Sequence, residues 1–164
     1  MSRTIKTALS VSACLLIGVL LSQCSEKQNE KTADADFSYT VALSLTPEAA
    51  AKMKALGQKV ALEAYYYGAP AAASQALVND DNQINLGADL QDIEAVNANV
   101  KISANGLFQD RLVHIADARP MVMLSAYSEA TAGTPNQLDC TEFKGALSEA
   151  QAKPVEIKCG LPQG

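Results

Sequence analysis

Hydrophobic and polar residues alternate with a period of two over much of the chain after residue 36. In the clearest case, Phe37, Tyr39, Val41, Leu43 and Leu45 alternate with serine, threonine and alanine. Successive side chains of a strand point to opposite faces, so this period predicts a strand with one buried face. Similar short patterns predict further strands over 59–67, 83–86, 98–104, 111–115, 121–127 and 154–159.

Two segments have the composition of short helices instead. Thr46 can cap a helix, Pro47 suits the first helical position, and Gly57 suits the residue just after the last turn. We therefore predict a helix over 47–56. A second helix is predicted over 142–151, and the segment 69–82 is predicted to be a loop with room for one helical turn.

The number and spacing of these elements predict the fold class. Seven or eight short strands follow one another at intervals with turn signals, and no βα unit of about thirty residues repeats. We expect a mostly-β domain over residues 37–164: a small antiparallel β-sandwich, Ig-like or transthyretin-like in architecture, with one or two short helices. A domain of this size can bury enough surface for one core.

The first residues have the pattern of a signal peptide. Arg3 and Lys6 precede an uncharged stretch from Thr7 to Ser22, which is shorter than a typical membrane-spanning helix of about 20 apolar residues. Leu21-Ser22-Gln23-Cys24 then resembles the lipobox of bacterial lipoprotein precursors, although Gln23 stands where that pattern has a small residue.

The resemblance to lipoprotein precursors implies a location. Residues 1–23 would be removed, Cys24 would carry the lipid, and Ser25 after it resembles a signal for outer-membrane sorting. The expected location is the outer membrane, facing the periplasm, with membrane lipid as a partner through acylated Cys24. A soluble periplasmic or secreted protein and an uncleaved membrane anchor remain alternatives. Residues 24–36 are polar and charged, which predicts a flexible tether.

The remaining cysteines predict a disulfide, and the net charge and histidine content argue against several kinds of binding site. Once Cys14 and Cys24 are assigned to the signal and the lipid, Cys140 and Cys159 form an even pair in an exported protein, which predicts a structural disulfide. Two free thiols or a redox pair are the alternatives. The chain has a net charge of −5, which argues against nucleic-acid binding. We expect no cofactor, and a single histidine excludes a multi-histidine metal site.

Three groups of residues are candidates for function. Tyr65 and Tyr67 would lie on the face of their strand opposite Tyr66, as an exposed aromatic platform for a partner. His114, expected on a strand, is a candidate catalytic base, with Ser103 or Ser125 as the hydroxyl. Oxygen ligands crowd residues 79–94, but the spacing fails the EF-hand pattern, so a solvated acidic loop is expected and calcium binding stays open.

Two classes of function follow from these candidates. The first is a non-catalytic binding or accessory module of the cell envelope, with an envelope protein as partner and Tyr65 and Tyr67 as the binding patch. The second is a small periplasmic hydrolase that uses His114. The absence of any recognisable catalytic motif favours the first class.

Overall fold

In the part of the chain that the structure describes, eight strands form two four-stranded sheets, so the predicted mostly-β sandwich is confirmed. The structure is a computed structural model, which describes residues 36–129 and 135–163. One sheet has the order β4-β1-β8-β6 and the other the order β3-β2-β5-β7. All pairs are antiparallel except β1 with β8. The strands are β1 Tyr39–Leu45, β2 Val60–Gly68, β3 Ile84–Ile93, β4 Ala98–Ile102, β5 Met121–Ser128, β6 Asp139–Cys140, β7 Phe143–Ala146 and β8 Val155–Gly160.

The alternation seen in the sequence is the alternation of burial in the fold. In β1, Tyr39, Val41, Leu43 and Leu45 are buried, and the residues between them are half-buried. Strand β5 repeats this pattern with four buried positions from Val122 to Ser128. The apolar faces of the two sheets meet in one core. This arrangement removes the apolar face of each sheet from water.

Helix α1, Pro47–Leu56, forms where its end signals predict it. The Thr46 hydroxyl accepts a hydrogen bond from the Ala49 amide at 3.2 Å, which satisfies one free donor of the first turn. The helix ends at Gly57, whose φ of 63° is costly for a residue with a side chain. Met53 and Ala49 face the core, so packing against the sandwich holds this short helix in place.

Strand β3 is much longer than the predicted segment 83–86. Its polar residues suggested a loop, but β3 is an edge strand whose side chains are exposed at Asn85, Ala88, Leu90 and Asp92. Residues 106–108 lie along its outer edge, where the Phe108 amide donates to the Leu86 carbonyl at 2.7 Å. Backbone meets backbone closely here, so a Cβ added at Gly87 would collide with the Gly106 carbonyl oxygen.

Two further predicted elements are wrong. The segment 111–115 is not a strand, because residues Gln109–His114 form a 3₁₀ helix. Leu112 and Ile115 point inward three residues apart while Val113 is 75% exposed, which is a helical and not a strand periodicity. The helix predicted over 142–151 is divided: Phe143–Ala146 pairs with β5 as β7, and only Leu147–Ala152 is helical, as α2.

The 3₁₀ helices lie at the end of the sandwich where the described chain begins. Strand β2 runs back toward the start of β1, and the hydroxyl groups of Tyr66 and Tyr39 are 3.3 Å apart. Beyond β2, the Ala71 amide donates to the His114 carbonyl, which joins the 3₁₀ helices Ala72–Leu77 and Gln109–His114. Phe37 lines a small cleft together with residues 117–120. We call this end the residue-36 end.

Among the described residues, no helix has the length and apolar character needed to cross a membrane.

Candidate functional site

Tyr65 and Tyr67 lie together on the outer face of the second sheet, opposite Tyr66. Their rings are stacked, with centroids 5.8 Å apart and planes inclined by 14°. On the neighbouring strand, Met123 pairs with Tyr65 and Met121 pairs with Tyr67. The prediction that the two tyrosines share one face is therefore confirmed, because they occupy alternate positions of a regular strand.

The prediction that both tyrosines are exposed is wrong for Tyr67. This residue is only 6% exposed, and burial raises the pKa of its hydroxyl. Its ring is stacked on that of Tyr65, and the Lys144 ammonium lies 5.7 Å from its centroid, within the range of a cation–π contact. Tyr65 is half-buried and remains the member of the pair that offers surface to a partner.

A cleft opens beside Tyr65. The Asn79 side-chain amide donates to the Tyr65 hydroxyl at 3.4 Å, and Asn79 also lines the cleft. The cleft has a volume of about 460 Å³, which is within the range of small-ligand sites. Three segments form it, namely the end of the 3₁₀ helix Ala72–Leu77 with the next two residues, the start of β3, and the 3₁₀ helix Gln109–His114.

The cleft combines apolar and polar groups. Leu77, Val78 and the buried Ile84 supply apolar surface. The polar lining is Asn79, Asn85, Asp110, Arg111 and His114. The Arg111 guanidinium donates to the Asn85 carbonyl at 3.0 Å and lies 4.8 Å from the centroid of the Phe108 ring, so its position is fixed from two sides. Such a lining suits a ligand with a small apolar part and a hydrogen-bonding or anionic group.

His114 has a hydroxyl partner that the sequence analysis did not identify. Its Nδ1 shares a hydrogen bond of 3.2 Å with Oγ of Ser74, forty residues earlier in the chain. Neither of the predicted partners, Ser103 and Ser125, is hydrogen-bonded to it among the described residues. Ser74 is only 6% exposed. No local pattern marks Ser74, because the contact depends on how two 3₁₀ helices pack.

The expected acidic loop over 79–94 is wrong as a description of this segment, since β3 occupies most of it. At its start, Oδ1 of Asn79 accepts hydrogen bonds from the amides of Asp81 and Gln83, at 3.2 and 2.9 Å. This oxygen organises the turn and is not free to serve as a ligand. Within residues 36–129 and 135–163, no three His, Cys, Asp or Glu side chains are grouped as a metal ion requires.

A second polar cluster lies between the sheets. The Tyr66 hydroxyl donates to Oδ2 of Asp89 at 2.8 Å, and Oδ1 of the same carboxylate accepts from the Gly106 amide at 3.0 Å. Burial raises the pKa of Tyr39 to about 12. Burial, and then the neighbouring Tyr39 and Asp89, raise the pKa of Tyr66 as well. We call Tyr39, Tyr66 and Asp89 the inner network.

The cysteines divide into a described pair and an undescribed one. Cys140 and Cys159 form a disulfide with an S–S distance of 2.06 Å, which confirms the predicted bridge. They occupy directly paired positions of β6 and β8, so the bridge fastens the two-residue strand β6 to the sheet. The predicted signal peptide, Cys24 and nearly all of the predicted tether lie outside the described residues.

No protein-family model matches this chain, and no curated protein and no solved structure matches it either.

Proposed function

We propose that this protein is a lipid-anchored, non-catalytic binding module of the cell envelope. Acylated Cys24 would hold it at the outer membrane, facing the periplasm, and the cleft beside Tyr65 would receive the ligand. The observation that carries the proposal is the composition of that cleft, whose lining includes both the buried Ile84 and the guanidinium of Arg111. The disulfide supports an exported protein, because such bonds persist in oxidising compartments.

The anchor has a direct test. In a host that processes lipoproteins, the wild-type chain should gain the mass of a diacylglycerol at Cys24 and partition into detergent. The Cys24→Ser variant should lose both properties. Cys140→Ser provides the control, because it removes a cysteine of the disulfide and leaves the lipobox intact. An unmodified wild-type chain that stays in the aqueous phase would contradict the anchor.

The binding site is tested by photocrosslinking in intact cells. A photoreactive residue placed at Tyr65 or at Leu77 should capture the same molecule, since Leu77 lines the cleft and Tyr65 is hydrogen-bonded to Asn79 of its lining. The matched control is Leu56, which is 49% exposed but lies at the far end of the sandwich. Arg111→Ala should abolish the product from both cleft positions. Equal capture at Leu56, or products indifferent to Arg111→Ala, would overturn this assignment.

A second candidate function rests on the pairing of Ser74 with His114, which is the arrangement of a nucleophile and its base. A small periplasmic hydrolase would need Ser74 to reach its substrate, and its low exposure makes this the weaker proposal. Hydrolysis of an activated ester such as p-nitrophenyl acetate, lost in both Ser74→Ala and His114→Ala but kept in Ser125→Ala, would favour the enzyme. An unchanged rate in the first two variants would exclude it.

A further inference from the structure

Exposed apolar side chains project from the residue-36 end of the domain. Leu77, Phe108 and Val113 are 56%, 47% and 75% exposed. All three belong to the segments that contain the two longer 3₁₀ helices or border them. Single exposed apolar side chains are common, but Phe108 and Val113 belong to one six-residue segment at this end, which makes it a candidate apolar surface.

The chain enters the domain at this same end. The Gln151 side-chain amide donates to the Asp36 carbonyl at 2.8 Å, and Phe37 shares a cleft with Asp117 and Arg119. The segment from residue 117 to residue 119 follows the 3₁₀ helix that carries Val113 after only two residues. The described part of the chain therefore begins at this end of the sandwich.

The length of the preceding chain limits the distance to a lipid anchor. Twelve peptide units separate Cys24 from Asp36. A flexible chain of that length has a mean end-to-end distance of about 20 Å and reaches about 40 Å when fully extended. A sandwich with strands of nine or ten residues is about 30 Å long. An anchor at Cys24 therefore brings the residue-36 end to the bilayer far more often than the opposite end.

We propose that the residue-36 end docks on the bilayer to which Cys24 is anchored, with Phe108 and Val113, which do not line the cleft, inserted at the lipid surface. The proposal rests on the lipid anchor proposed above. Acidic and basic side chains are mixed at this end, including Asp110, Arg111, Asp117 and Arg119. Docking is therefore expected to depend on apolar contact and not on anionic lipid. The anchor supplies a high local concentration, so weak contacts suffice.

The chain contains no tryptophan, which makes the test simple. Val113→Trp gives a single emitter at the docking surface, and Val96→Trp gives a matched emitter at the opposite end, where the native valine is 56% exposed. The full-length lipidated chain is incorporated into phosphatidylethanolamine vesicles with brominated acyl chains. We expect several-fold stronger quenching at position 113 than at position 96, with little change when phosphatidylglycerol is added.

A second variant separates docking from the bias of tryptophan for membrane interfaces. Phe108→Trp is a conservative fluorescent reporter at the docking surface. Adding Val113→Asp to this variant should reduce the quenching of the tryptophan at position 108 to about the level measured at position 96. Protein mass and flotation with the vesicles are measured in the same samples. Flotation without preferential quenching at position 113 would overturn docking but leave the anchor intact. Absence of the acyl mass, with no flotation, would overturn both.

Discussion

Two tyrosine pairs, built partly from one strand, occupy opposite environments. Tyr66 and Tyr39 meet between the sheets, where their hydroxyl groups join Asp89 in a hydrogen-bonded chain. Tyr65 and Tyr67, on either side of Tyr66, meet on the outer face and contact one another through their rings. A buried hydroxyl group requires a hydrogen-bond partner, whereas a ring on the outer face requires only apolar groups to pack against. The same residue type therefore forms a hydrogen-bonded network in the interior and a ring stack on the outer face, where Tyr65 is only half-buried.

The largest expected difference between the pairs is in the cost of truncation. Tyr66→Ala should lower the free energy of unfolding by about 4 kcal/mol, because it opens a cavity and removes the donor to Oδ2 of Asp89. Tyr65→Ala should cost less than about 1 kcal/mol, since its ring is only half-buried. Urea unfolding of both variants with the disulfide intact measures the difference. Equal costs would show that the inner network has no special role.

Alkaline pH should act on the inner pair. The pKa of Tyr39 is raised to about 12 in the folded state, against an ordinary value of 10, so the unfolded chain loses its proton first. The contribution of Tyr39 to stability is complete below about pH 10 and falls as the pH rises toward 12, by about 1.4 kcal/mol per pH unit, or about 3 kcal/mol in all. Tyr66, whose pKa is also raised, adds to this loss. Urea unfolding between pH 8 and 12 measures this loss. Tyr39→Phe should have a shallower dependence, and an identical curve would contradict the assignment.

The carboxylate of the inner network provides the next test. Asp89→Ala removes the acceptor of both the Tyr66 hydroxyl and the Gly106 amide, so it should cost about 2 kcal/mol. Hydrogen exchange at Gly106 should also accelerate. Asp92→Ala on the same strand is the control, since Asp92 is exposed and should cost less than about 0.5 kcal/mol. Unchanged exchange at Gly106 in Asp89→Ala would contradict the network.

The smallest effect is expected for the outer hydroxyl. Tyr65→Phe keeps the ring stack but removes the group that accepts a hydrogen bond from Asn79 at 3.4 Å. The free energy of unfolding should change by less than about 0.5 kcal/mol, while photocrosslinking from position 77 weakens if the hydroxyl helps to shape the cleft. Tyr67→Phe is the matched control for crosslinking. A large loss of stability in Tyr65→Phe would remove the contrast between the pairs.

Elements with local signals were predictable from the sequence. Strand β1 follows a strict alternation, and α1 has a cap at Thr46 and a stop at Gly57. Only the start of strand β3 was predicted. An edge strand tolerates polar residues on its exposed face. In addition, Asp89 can turn toward the interior because the Tyr66 hydroxyl donates a hydrogen bond to it. The segment that carries His114 was misassigned, since five apolar-rich residues do not separate a strand from a 3₁₀ helix.

The candidate site was predictable only in part. Tyr65 and Tyr67 share a face because of the strand period, which the sequence displays. The cleft and the Ser74–His114 contact join segments far apart in the chain, and no local pattern encodes that packing. The contact between Tyr67 and Lys144 of β7 likewise joins residues far apart in the chain.

The close approach of Gly87 to Gly106 has a consequence for contacts between copies of this chain. Residues 106–108 take up hydrogen-bonding positions on the open side of β3, so a strand from another copy cannot pair there. Farther along, the exposed Asp92 brings negative charge toward an approaching copy. Occupation of the open side of β3 and electrostatic repulsion together oppose the pairing of this edge strand with an edge strand of another copy. A side chain at either glycine would displace residues 106–108 and expose backbone groups of β3 to pairing with another copy.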